Sequence, residues 1–564
     1  MGGYLEGAVP YPADLVERYT RAGWWANETF WEVFERSASR HPDKAAAVDR
    51  WRRCSYRELA DEVTRLASAL ADLGVGSRDR VVVQLPNRIE YLVAFYALQR
   101  LGAIPVLAVP RHGPAELGDL MRLAAPVAWI FPAQDRGRSF AGVVERLRDD
   151  GVLPRLAIAT EPAQDLPAGT LAMSELIASQ PAGSRAPEVR PDPNDVAVIL
   201  LTGGVTGRSK AVPRTHNSFL YSIRHANRDA GPDDVFCVVT PVGHTMANQG
   251  PVGGAIYHAG TLVFLEEWQP ELLLQVVERE HVTRVGLVPT QLWDLLHCPA
   301  LEEADLSSLR RVGTTGAALS ESLARRAHAF FTAQGCTFHS GYGSTEGPAL
   351  GRGPGGVSEP AVPSRALGRA RHDGTEWTVV DEEGNELPAG AQGELAARGP
   401  GVFTGYYRAG DENARVFTRS GYYRTGDVGF IDQQGFVHLT GRRKNIIQRG
   451  GEAIVPEEIE EMLADHPALR QVAVVGVPDE RLGERACACV VPMGSARVTL
   501  EEVVGYLGRR GAGRLRWPER LVVMSALPET AAGKVDRVAL REEAARRLQE
   551  VGSEDVDGRG TRSP

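Results

Sequence analysis

Residues 81–110 read VVVQLPNRIEYLVAFYALQRLGAIPVLAVP, and their pattern decides the fold. An apolar run of strand length at 81–86 leads into a helical pattern at 89–102, and a second apolar run follows at 103–110. Short apolar runs bounded by turn residues are typical of buried strands. A strand, a helix and a strand in this order favour parallel pairing in a sheet that is covered on both faces.

The same alternation extends over most of the chain. Apolar residues at helical spacing occur in residues 29–42 and 55–75. Further strand-like runs lie at 195–204, 233–241, 281–289 and 309–319. Long stretches therefore share one architecture, in which helices alternate with the strands of mostly parallel sheets.

The pattern changes twice towards the C-terminus. From about Gly368, short strand-like runs between glycine turns indicate a β-rich lobe. After Gly441, the order helix, strand, strand, helix, strand, helix favours a compact α+β module. The predicted class is α/β, with doubly wound sheets and the lobe (about 368–441) in a large N-terminal domain, 1–441. A mobile α+β C-terminal domain, 442–550, and a disordered polar tail, 551–564, complete the prediction.

Composition excludes several classes of function. The 564 residues carry a formal net charge of −9 without a basic block, which argues against a nucleic-acid partner. No run of ~18 apolar residues occurs, and the N-terminal residues include acidic side chains, so neither a membrane span nor an export signal is expected. We therefore expect a cytoplasmic enzyme that acts on small molecules.

The four lysines are informative because the chain strongly prefers arginine. Among 63 basic residues, only Lys44, Lys210, Lys444 and Lys534 are lysine. Lysine presents a compact ammonium on a flexible stem, whereas arginine presents a broad planar fork. A position that needs a point charge beside a phosphate does not easily accept the exchange.

A glycine-rich loop follows the strand-like run at 195–202. Residues 200–216 read LLTGGVTGRSKAVPRTH. Glycines let backbone N–H groups approach an anion, threonine hydroxyls add donors, and Lys210 supplies a point charge. The alternative is an ordinary loop. The segment is not a Walker loop, because it lacks the terminal Gly-Lys-Ser/Thr.

Five segments, in this order, resemble one known superfamily. They are the loop just described, GYGSTE at 341–346, YRTGD at 423–427, GRRK at 441–444 with GGE at 450–452, and GK at 533–534. The series is similar to the adenylate-forming superfamily of acyl-CoA synthetases, nonribosomal peptide adenylation domains and luciferases. Residues 11–30, VVVQLPN and PRTHNSFLYS are most similar to stand-alone aryl-acid adenylating enzymes such as 2,3-dihydroxybenzoate-AMP ligases.

The resemblance covers nearly the whole chain, and it implies an ATP site. Its expected residues are Thr202, Gly203, Gly204, Thr206, Gly207, Lys210, Thr315, Gly316, Ala317, Gly341, Tyr342, Gly343, Thr345, Asp427 and Arg442. Tyr342 would stack on adenine and Asp427 would accept the ribose hydroxyls, while Arg442 would approach the ribose and phosphates. A turn aspartate is the alternative for Asp427.

The same resemblance implies a chemistry. Lys534, Arg442 and Lys210 would be catalytic, with Lys534 bridging the acid and the α-phosphate as negative charge develops. Glu346 would hold the Mg²⁺ that accompanies ATP; the alternative is a solvated surface carboxylate. The acid would be activated as its adenylate and then transferred to the thiol of a carrier protein or coenzyme A.

A domain rotation is part of the same expectation. The C-terminal domain would turn about a hinge at Lys444 and replace Lys534 by the thiol-access loop at Gly450 and Gly451. A solvated loop residue is an equal alternative for Lys444.

Four positions are expected to contact the acid, and three depart from the aryl-acid pattern. His244 matches it, whereas Thr245 replaces an asparagine, Gly250 a serine or cysteine, and Gly341 a larger residue. Smaller side chains leave volume for a bulkier acid, unless Met246 refills it.

The phosphate loop also departs from the pattern. Val205 replaces a hydroxyl residue there, which predicts weaker nucleotide handling.

Three functions follow from these readings. The first is an aryl or heteroaryl acid adenylating enzyme that loads a carrier protein in secondary metabolism. The second is an acyl-CoA ligase for a large nonaromatic acid. The third is a homologue that binds nucleotide without adenylating, which only Val205 supports.

Overall fold

The computed structural model describes residues 4–162, 165–187, 189–202, 210–317, 319–351, 366–372, 374–449, 452–530 and 534–557. Two large, mostly parallel sheets form the N-terminal part of the chain, and a smaller antiparallel sheet and an α+β C-terminal domain follow. The predicted fold class is therefore confirmed.

The first sheet has eight strands. In spatial order they are Ala349–Gly351, Thr337–Gly343, Arg311–Thr314, Arg284–Leu287, Val235–Val238, Thr261–Phe264, Ala45–Val48 and Arg53–Ser55. The inner six are parallel and both edge strands are antiparallel. The carboxyl ends of the six therefore meet at one edge, where α/β sheets usually bind ligands.

The second sheet has seven strands and contains the βαβ unit that opened the sequence. Its order is Lys210–Thr215, Val196–Thr202, Ile104–Leu107, Arg80–Val83, Ala128–Phe131, Leu156–Ala159 and Leu171–Ala172. All neighbours are parallel except Lys210–Thr215 against Val196–Thr202. A short ribbon, Gln134–Asp135 with Arg138–Ser139, lies apart. The helix between strands 80–83 and 104–107 runs from Ile89 to Arg100.

Helices cover both faces of the two large sheets. In the N-terminal part they are Ala13–Arg21, Phe30–Arg40, Tyr56–Asp72, Ile89–Arg100, Pro114–Ala124, Ala141–Asp149, Met173–Ser179, His216–Ala226, Thr245–Ala247, Gly253–Tyr257, Pro270–Glu280, Pro289–Leu296, Glu321–Ala333 and Gly410–Val416. A π-helical segment, Asn248–Val252, and a 3₁₀ turn, Pro299–Glu302, complete them. Inward-facing residues of both sheets share one core with the helices between them.

Two helices of this shared core begin with reciprocal caps that the sequence specifies. The Thr29 and Ser55 side chains accept from the backbone N–H of Glu32 and Glu58, whose carboxylates accept in return. Such capping boxes satisfy N–H groups that the first helical turn leaves unpaired.

The β-rich lobe is a six-stranded antiparallel sheet. Its order is Ala366–Arg369, Phe436–Arg442, Tyr423–Ile431, Gly393–Arg398, Thr375–Val380 and Arg371–His372. The segment around Val402, Phe403 and Tyr406 leaves this sheet and packs into the shared core of the large domain. The lobe is thus built onto the large domain by apolar burial as well as by chain connection.

The C-terminal domain has strands Glu452–Ile454, Ile447–Arg449, Gly483–Pro492, Leu469–Asp479 and Arg520–Val523, with helices Pro456–Leu463, Leu500–Arg509 and Arg537–Asp557. Short 3₁₀ turns lie at Arg443–Asn445 and Arg514–Arg516. Cys487 and Cys489 share one buried face of the strand Gly483–Pro492.

The last helix corrects one boundary. It continues to Asp557, whereas the sequence predicts a disordered tail from residue 551. No proline precedes Pro564 in this segment, so nothing sterically stops the helix there. Residues 558–564 lie outside the described residues.

Arg214 is fully buried and joins three parts of the large domain. Its guanidinium donates to the carbonyl oxygens of Gly401 (2.7 Å), Thr345 (3.2 Å) and Ser218 (3.2 Å) and to the hydroxyl of Ser222 (3.1 Å). Burial lowers the pKa of Arg214 to about 10, so it remains charged at neutral pH. A buried cation with several carbonyl partners fixes the loop that contains Thr345.

We expect Arg214→Met to destabilise the fold by roughly 2–4 kcal/mol, because it leaves buried carbonyl oxygens without donors. Chemical denaturation measures the change. Arg224→Met is the matched control, since Arg224 also donates to carbonyls, at Gly23 and Trp24, but is partly exposed. A loss for Arg214→Met no larger than for the control would contradict the argument.

Candidate functional site

A single large cavity, of about 1240 Å³, opens at the carboxyl edge of the first sheet. The large domain, the antiparallel lobe and the C-terminal domain all contribute residues to it, among them Gly316, Asp427 and Lys534. Gly316 is more than a hundred residues from Asp427, and Asp427 is more than a hundred residues from Lys534. Only the fold brings the three together.

Thr202 and Lys210 mark the two ends of the predicted phosphate loop. They face each other as the last registered pair of the hairpin between strands 196–202 and 210–215, and both line the cavity. The predicted residues Gly203, Gly204, Thr206 and Gly207, and Val205 between them, lie outside the described residues. The loop that joins Thr202 to Lys210 therefore begins and ends at the cavity.

Lys210 has two partners that the sequence did not indicate. Its ammonium forms an ion pair with Glu412 and lies 4.8 Å from the centre of the Tyr406 ring. A polyphosphate that enters the cavity would compete with Glu412 for this cation. The Lys210 charge is thus held in place by groups that a nucleotide can displace.

Glu346 lies in the turn of the hairpin between strands 337–343 and 349–351, and it is 6% exposed. The Tyr406 hydroxyl donates to its carboxylate at 2.8 Å, and the Glu346 carbonyl accepts from Phe403. The alternative of a solvated surface carboxylate is therefore wrong. Gly347 is required in this turn, because its φ is +110° and a Cβ would lie 1.8 Å from the Gly401 carbonyl oxygen.

The residues around Glu346 fit a Mg²⁺ ion that arrives with a nucleotide. Among the described residues, no cluster of three or more His, Cys, Asp or Glu side chains is placed to hold a metal. Mg²⁺ usually binds through one or two carboxylates together with substrate phosphates and water, so a single buried carboxylate suits it.

Asp427 and Arg442 form the second charged feature. They are cross-strand neighbours in the antiparallel lobe, and the Arg442 Nε lies 2.8 Å from an Asp427 oxygen. The Tyr342 hydroxyl donates to the other Asp427 oxygen. Asp427 is only 2% exposed; burial raises its pKa and the Arg442 charge opposes that rise. The turn-aspartate alternative is wrong, since Asp427 lies within the strand Tyr423–Ile431.

The predicted adenine segments adjoin this pair through Tyr342. Gly341, Tyr342 and Gly343 end the strand Thr337–Gly343 and line the cavity, as do Thr315, Gly316 and Thr345. Ala317 is exposed and is not among the residues that line the cavity. The Tyr342 ring packs edge-on against Trp377 at 5.6 Å, which holds it upright at the cavity edge.

Lys534 enters the cavity from the C-terminal domain. Thr530 and Lys534 share two hydrogen bonds, and the Lys534 Cε lies 3.6 Å from the point where a Cβ of Gly316 would be. Enclosure by protein, and after it the Arg442 charge, lower the pKa of Lys534 to about 8. The C-terminal domain is thus in the orientation that brings Lys534 to the nucleotide segments.

The predicted hinge lies at the same junction. Lys444 is in the 3₁₀ turn Arg443–Asn445 and lines the cavity, next to the first strand of the C-terminal domain. The thiol-access glycines, Gly450 and Gly451, lie outside the described residues.

The four acid-site residues also line the cavity. His244 caps a short helix that begins at Thr245, and Gly250 follows in the π-helical segment Asn248–Val252. π-helical segments inside helices are often found at functional sites. The Thr245 hydroxyl is buried without a hydrogen-bond partner among the described residues, so it is available to a ligand.

Met246 does not refill the space left by the small residues. Its Cε lies 3.6 Å from the position of a Gly286 Cβ, but a Cβ at Gly250 would meet nothing within 4 Å. The cavity keeps its volume of about 1240 Å³ with Met246 in place.

Sequence reasoning missed Glu412, Tyr406 and Arg214. Tyr406 and Glu412 follow an apolar stretch that gives no periodic pattern, and their partners lie about 60 to 200 residues away. The segment PRTHNSFLYS does contain Arg214, but its arginine is one of many in the chain. Only the fold shows that it is buried.

Family models match both parts of the chain. The model described as AMP-binding enzyme matches residues 34–407, and the AMP-binding enzyme C-terminal domain matches residues 458–534. The chain belongs to the AMP-binding enzyme family. It is accordingly a ligase of the acyl-AMP class, as the resemblance implied.

Relatives agree over nearly the full length. The 2,3-dihydroxybenzoate-AMP ligase of Bacillus subtilis is 34% identical over 96% of this chain and 99% of its own. The 2-hydroxy-7-methoxy-5-methyl-1-naphthoate–CoA ligase of Streptomyces carzinostaticus is 34% identical, over 96% and 97%. The apo structure of MbtA from Mycobacterium smegmatis, 33% identical, superposes with a TM-score of 0.71 and covers 96% of this chain and 99% of that one.

One further feature concerns membranes. Among the helices of the described segments, we find none with both the length and the apolar character that crossing a bilayer requires.

Tyr406→Phe tests the environment of Glu346. Removing the hydroxyl takes one hydrogen bond from the buried carboxylate, and we expect the KM for MgATP to rise about fivefold to tenfold with little change in stability. Tyr407→Phe is the matched control, because Tyr407 is an adjacent buried tyrosine that belongs to a different core. Equal changes in KM for the two variants would show that the Glu346 contact is not responsible.

The Lys534 pKa predicts a pH dependence. The cation is the form that would interact with phosphate, so in the free enzyme it is present below about pH 8 and lost above it. We expect kcat/KM for adenylation to fall as the pH rises through about 8. Lys534→Arg, which stays charged, should have a lower but flat profile over that range. A wild-type profile that stays flat to pH 10 would contradict this assignment.

Proposed function

We propose that this enzyme activates a bulky aromatic acid as its acyl-adenylate and transfers the acyl group to a thiol. The observation that carries the proposal is the position of Lys534, 3.6 Å from the Cβ position of Gly316 in the same cavity as the Asp427–Arg442 pair. A lysine at the edge of a nucleotide site can stabilise the negative charge that develops when a carboxylate is joined to a phosphate.

ATP binds with its adenine beside Tyr342 and its ribose hydroxyls on Asp427. The Asp427 carboxylate accepts two hydrogen bonds or salt-bridge contacts already, from Tyr342 and Arg442, and retains oxygen lone pairs for the ribose. Arg442 lies between the ribose and the phosphates. Lys210 exchanges Glu412 for the β- and γ-phosphates, which offer it more negative charge.

Glu346 would hold Mg²⁺ together with the ATP phosphates, and the bound ion would neutralise the departing pyrophosphate. Tyr406 orients the Glu346 carboxylate by donating to it. Arg214 fixes the backbone of the preceding residue, Thr345, from the opposite side. The carboxylate is thereby presented to the cavity in one orientation.

The first half-reaction is an in-line displacement. A carboxylate oxygen of the acid bonds to the α-phosphorus, and the bond from that phosphorus to the bridging oxygen of the β-phosphate breaks, so that pyrophosphate leaves. Lys534 contacts both the carboxylate and the α-phosphate and reduces their mutual repulsion. The positive charge is useful because two anions must approach each other.

The second half-reaction is thioester formation. A thiolate sulfur bonds to the acyl carbon, and the bond to the adenylate oxygen breaks, releasing AMP. We propose that the C-terminal domain turns at Lys444 for this step, so that Lys534 withdraws and the loop at Gly450 and Gly451 admits the thiol. The acceptor is the phosphopantetheine thiol of a carrier protein or coenzyme A.

The acid is expected to be larger than 2,3-dihydroxybenzoate. Gly250 leaves open volume in the cavity that His244 also lines, whereas a Cβ at Gly341 would lie 3.4 Å from the Leu350 carbonyl oxygen. The buried Thr245 hydroxyl offers one donor and acceptor to a ring substituent. The naphthoate named for the Streptomyces carzinostaticus relative is an acid of this size class. An empty apolar cavity is costly, so a substrate that fills it gains affinity.

The deciding experiment is acid-dependent exchange of labelled pyrophosphate into ATP over a panel of one-ring, two-ring and nonaromatic acids. We expect exchange with two-ring acids, reduced at least 100-fold in Lys534→Ala and within about twofold of wild type in Lys44→Ala. Lys44 is the matched control because its ammonium binds the carbonyls of Pro232 and Ala259, away from the cavity. Best activity with 2,3-dihydroxybenzoate would refute the enlarged pocket, and absence of exchange with every acid would refute adenylation.

The acceptor is identified with the acid that supports exchange. The enzyme is incubated with this acid and with either coenzyme A or a phosphopantetheinylated carrier protein. Free acyl-CoA is measured in the first case, and acyl-loaded carrier protein in the second. Acyl-CoA formation would favour the CoA-ligase alternative.

A further inference from the structure

The cavity continues beyond the acid-site residues along one face of the first sheet. Side chains alternate between the faces of a strand, and Val285, Val312 and Phe338 point into the outer core of the large domain. The residues between them therefore face the cavity. They form two registered rows across strands 284–287, 311–314 and 337–343.

In the first row the His339 ring covers Gly313, since a Cβ at Gly313 would lie 2.7 Å from that ring, whereas Gly286 is uncovered. Gly286 is paired with Gly313, and Gly313 with His339. A Cβ at Gly286 would make only one ordinary contact, at 3.6 Å to Met246, so the space above the strand is open. This region, lined by Gly286, Gly313 and His339, is called the far chamber below.

The second row closes the far chamber with cations. Arg284 is paired with Arg311, and both line the cavity with side chains only 9% and 17% exposed. Arg228 lines the same end. The carboxylates that pair with Arg284 and Arg311, those of Asp229 and Asp234, are not among the residues that line the cavity. These two arginines therefore present N–H donors to a ligand, while their charges are already paired with Asp229 and Asp234.

His339 orients Arg311 without competing for an anion. Burial, and after it the Arg311 charge, lower the pKa of His339 to about 3, so the imidazole is neutral. Arg311 contacts both ring nitrogens, at 3.2 and 3.4 Å, and Asp229 with a third N–H. A guanidinium has five N–H donors, so these contacts leave donors over for a ligand.

The distance between the two ends sets the length of the ligand. Arg311 precedes Thr315 by four residues, so at ~3.3 Å per residue the Arg311 Cα lies about 13 Å along the strand from the Thr315 Cα, which is next to Gly316 and Lys534. One aromatic ring with its carboxylate is shorter than this. A benzoate held at Lys534 would leave the far chamber unfilled.

We propose that the substrate is an elongated acid of at least two rings whose far end carries an anionic or hydrogen-bond-accepting oxygen that Arg311 binds. Its rings lie over Gly286, and its carboxylate meets Lys534. A phenolate, a ring carbonyl or a second carboxylate shares the required chemistry. The assignment rests on the proposed adenylation for the placement of the reacting carboxylate, and it identifies the class of acid.

Binding of acids without ATP tests the assignment separately from adenylation. Isothermal titration calorimetry with the whole chain would compare benzoate, biphenyl-4-carboxylate and its 4′-hydroxy and 4′-carboxy derivatives, and the corresponding 2-naphthoates with and without a 6-hydroxyl. We expect two-ring acids to bind at least tenfold more tightly than benzoate, and an oxygen at the far end to add roughly another tenfold.

Two variants locate the contacts. Arg311→Gln should remove the preference for the far-end oxygen and leave the affinity for the unsubstituted acids within about twofold. Arg310→Gln is the matched control. Arg310 is next to Arg311 in sequence, but its side chain is 63% exposed and does not line the cavity. Gly286→Val, which suits a strand, should weaken two-ring acids at least tenfold and leave benzoate unchanged.

The outcomes separate the two proposals. Equal affinities for benzoate and all two-ring acids, or equal losses for every acid in Arg311→Gln, would overturn the far-chamber assignment even if pyrophosphate exchange is observed. Selective binding with an Arg311-dependent oxygen preference would support it even if no acid supports exchange, and in that case the proposed adenylation would be the part that fails.

Discussion

The structure depends on keeping several cations beside one cavity. Lys210, Arg442, Lys444 and Lys534 all line it, and like charges at this range repel each other. Glu412 pairs with Lys210, Asp427 pairs with Arg442, and the pKa values of Lys444 and Lys534 are lowered. A triphosphate supplies the negative charge that this arrangement lacks, so its binding would relieve the repulsion and draw the C-terminal domain towards the cavity.

The scaffold behind these charges is rigid where the chemistry needs fixed positions. Arg214 and Gly347 hold the Glu346 turn against Gly401, and the registered pair Asp427 and Arg442 is fixed by the antiparallel lobe. Lys534, by contrast, reaches the site from a separate domain. In the proposed mechanism, groups that would serve both half-reactions lie on the sheets, and the group that would be needed for adenylation alone lies where it can leave.

The sequence predicted much of this because some constraints are local. Apolar runs defined the strands, and the scarcity of lysine indicated Lys210, Lys444 and Lys534, all of which line the cavity, whereas Lys44 does not. Contacts between distant residues could not be read in the same way. Glu412 and Tyr406 become partners of Lys210 only after folding. The end of the last helix at Asp557 was also missed, because polar composition does not distinguish a solvated helix from a disordered tail.

The far chamber is a second feature that the sequence alone could not show. Gly286, Gly313 and His339 are separated by about 26 residues each in the chain, and none belongs to a motif, yet pairing of parallel strands puts them in one row. Glycine in a strand is unfavourable for the strand itself; Gly313 makes room for the His339 ring, and Gly286 leaves open space that a ligand can approach. Because this row and the arginines beyond it lie away from Lys534 and Asp427, the size and polarity of the acid can change without altering the groups that handle ATP. In the proposed assignment, the specificity for the acid is set at the opposite end of the strands from the chemistry.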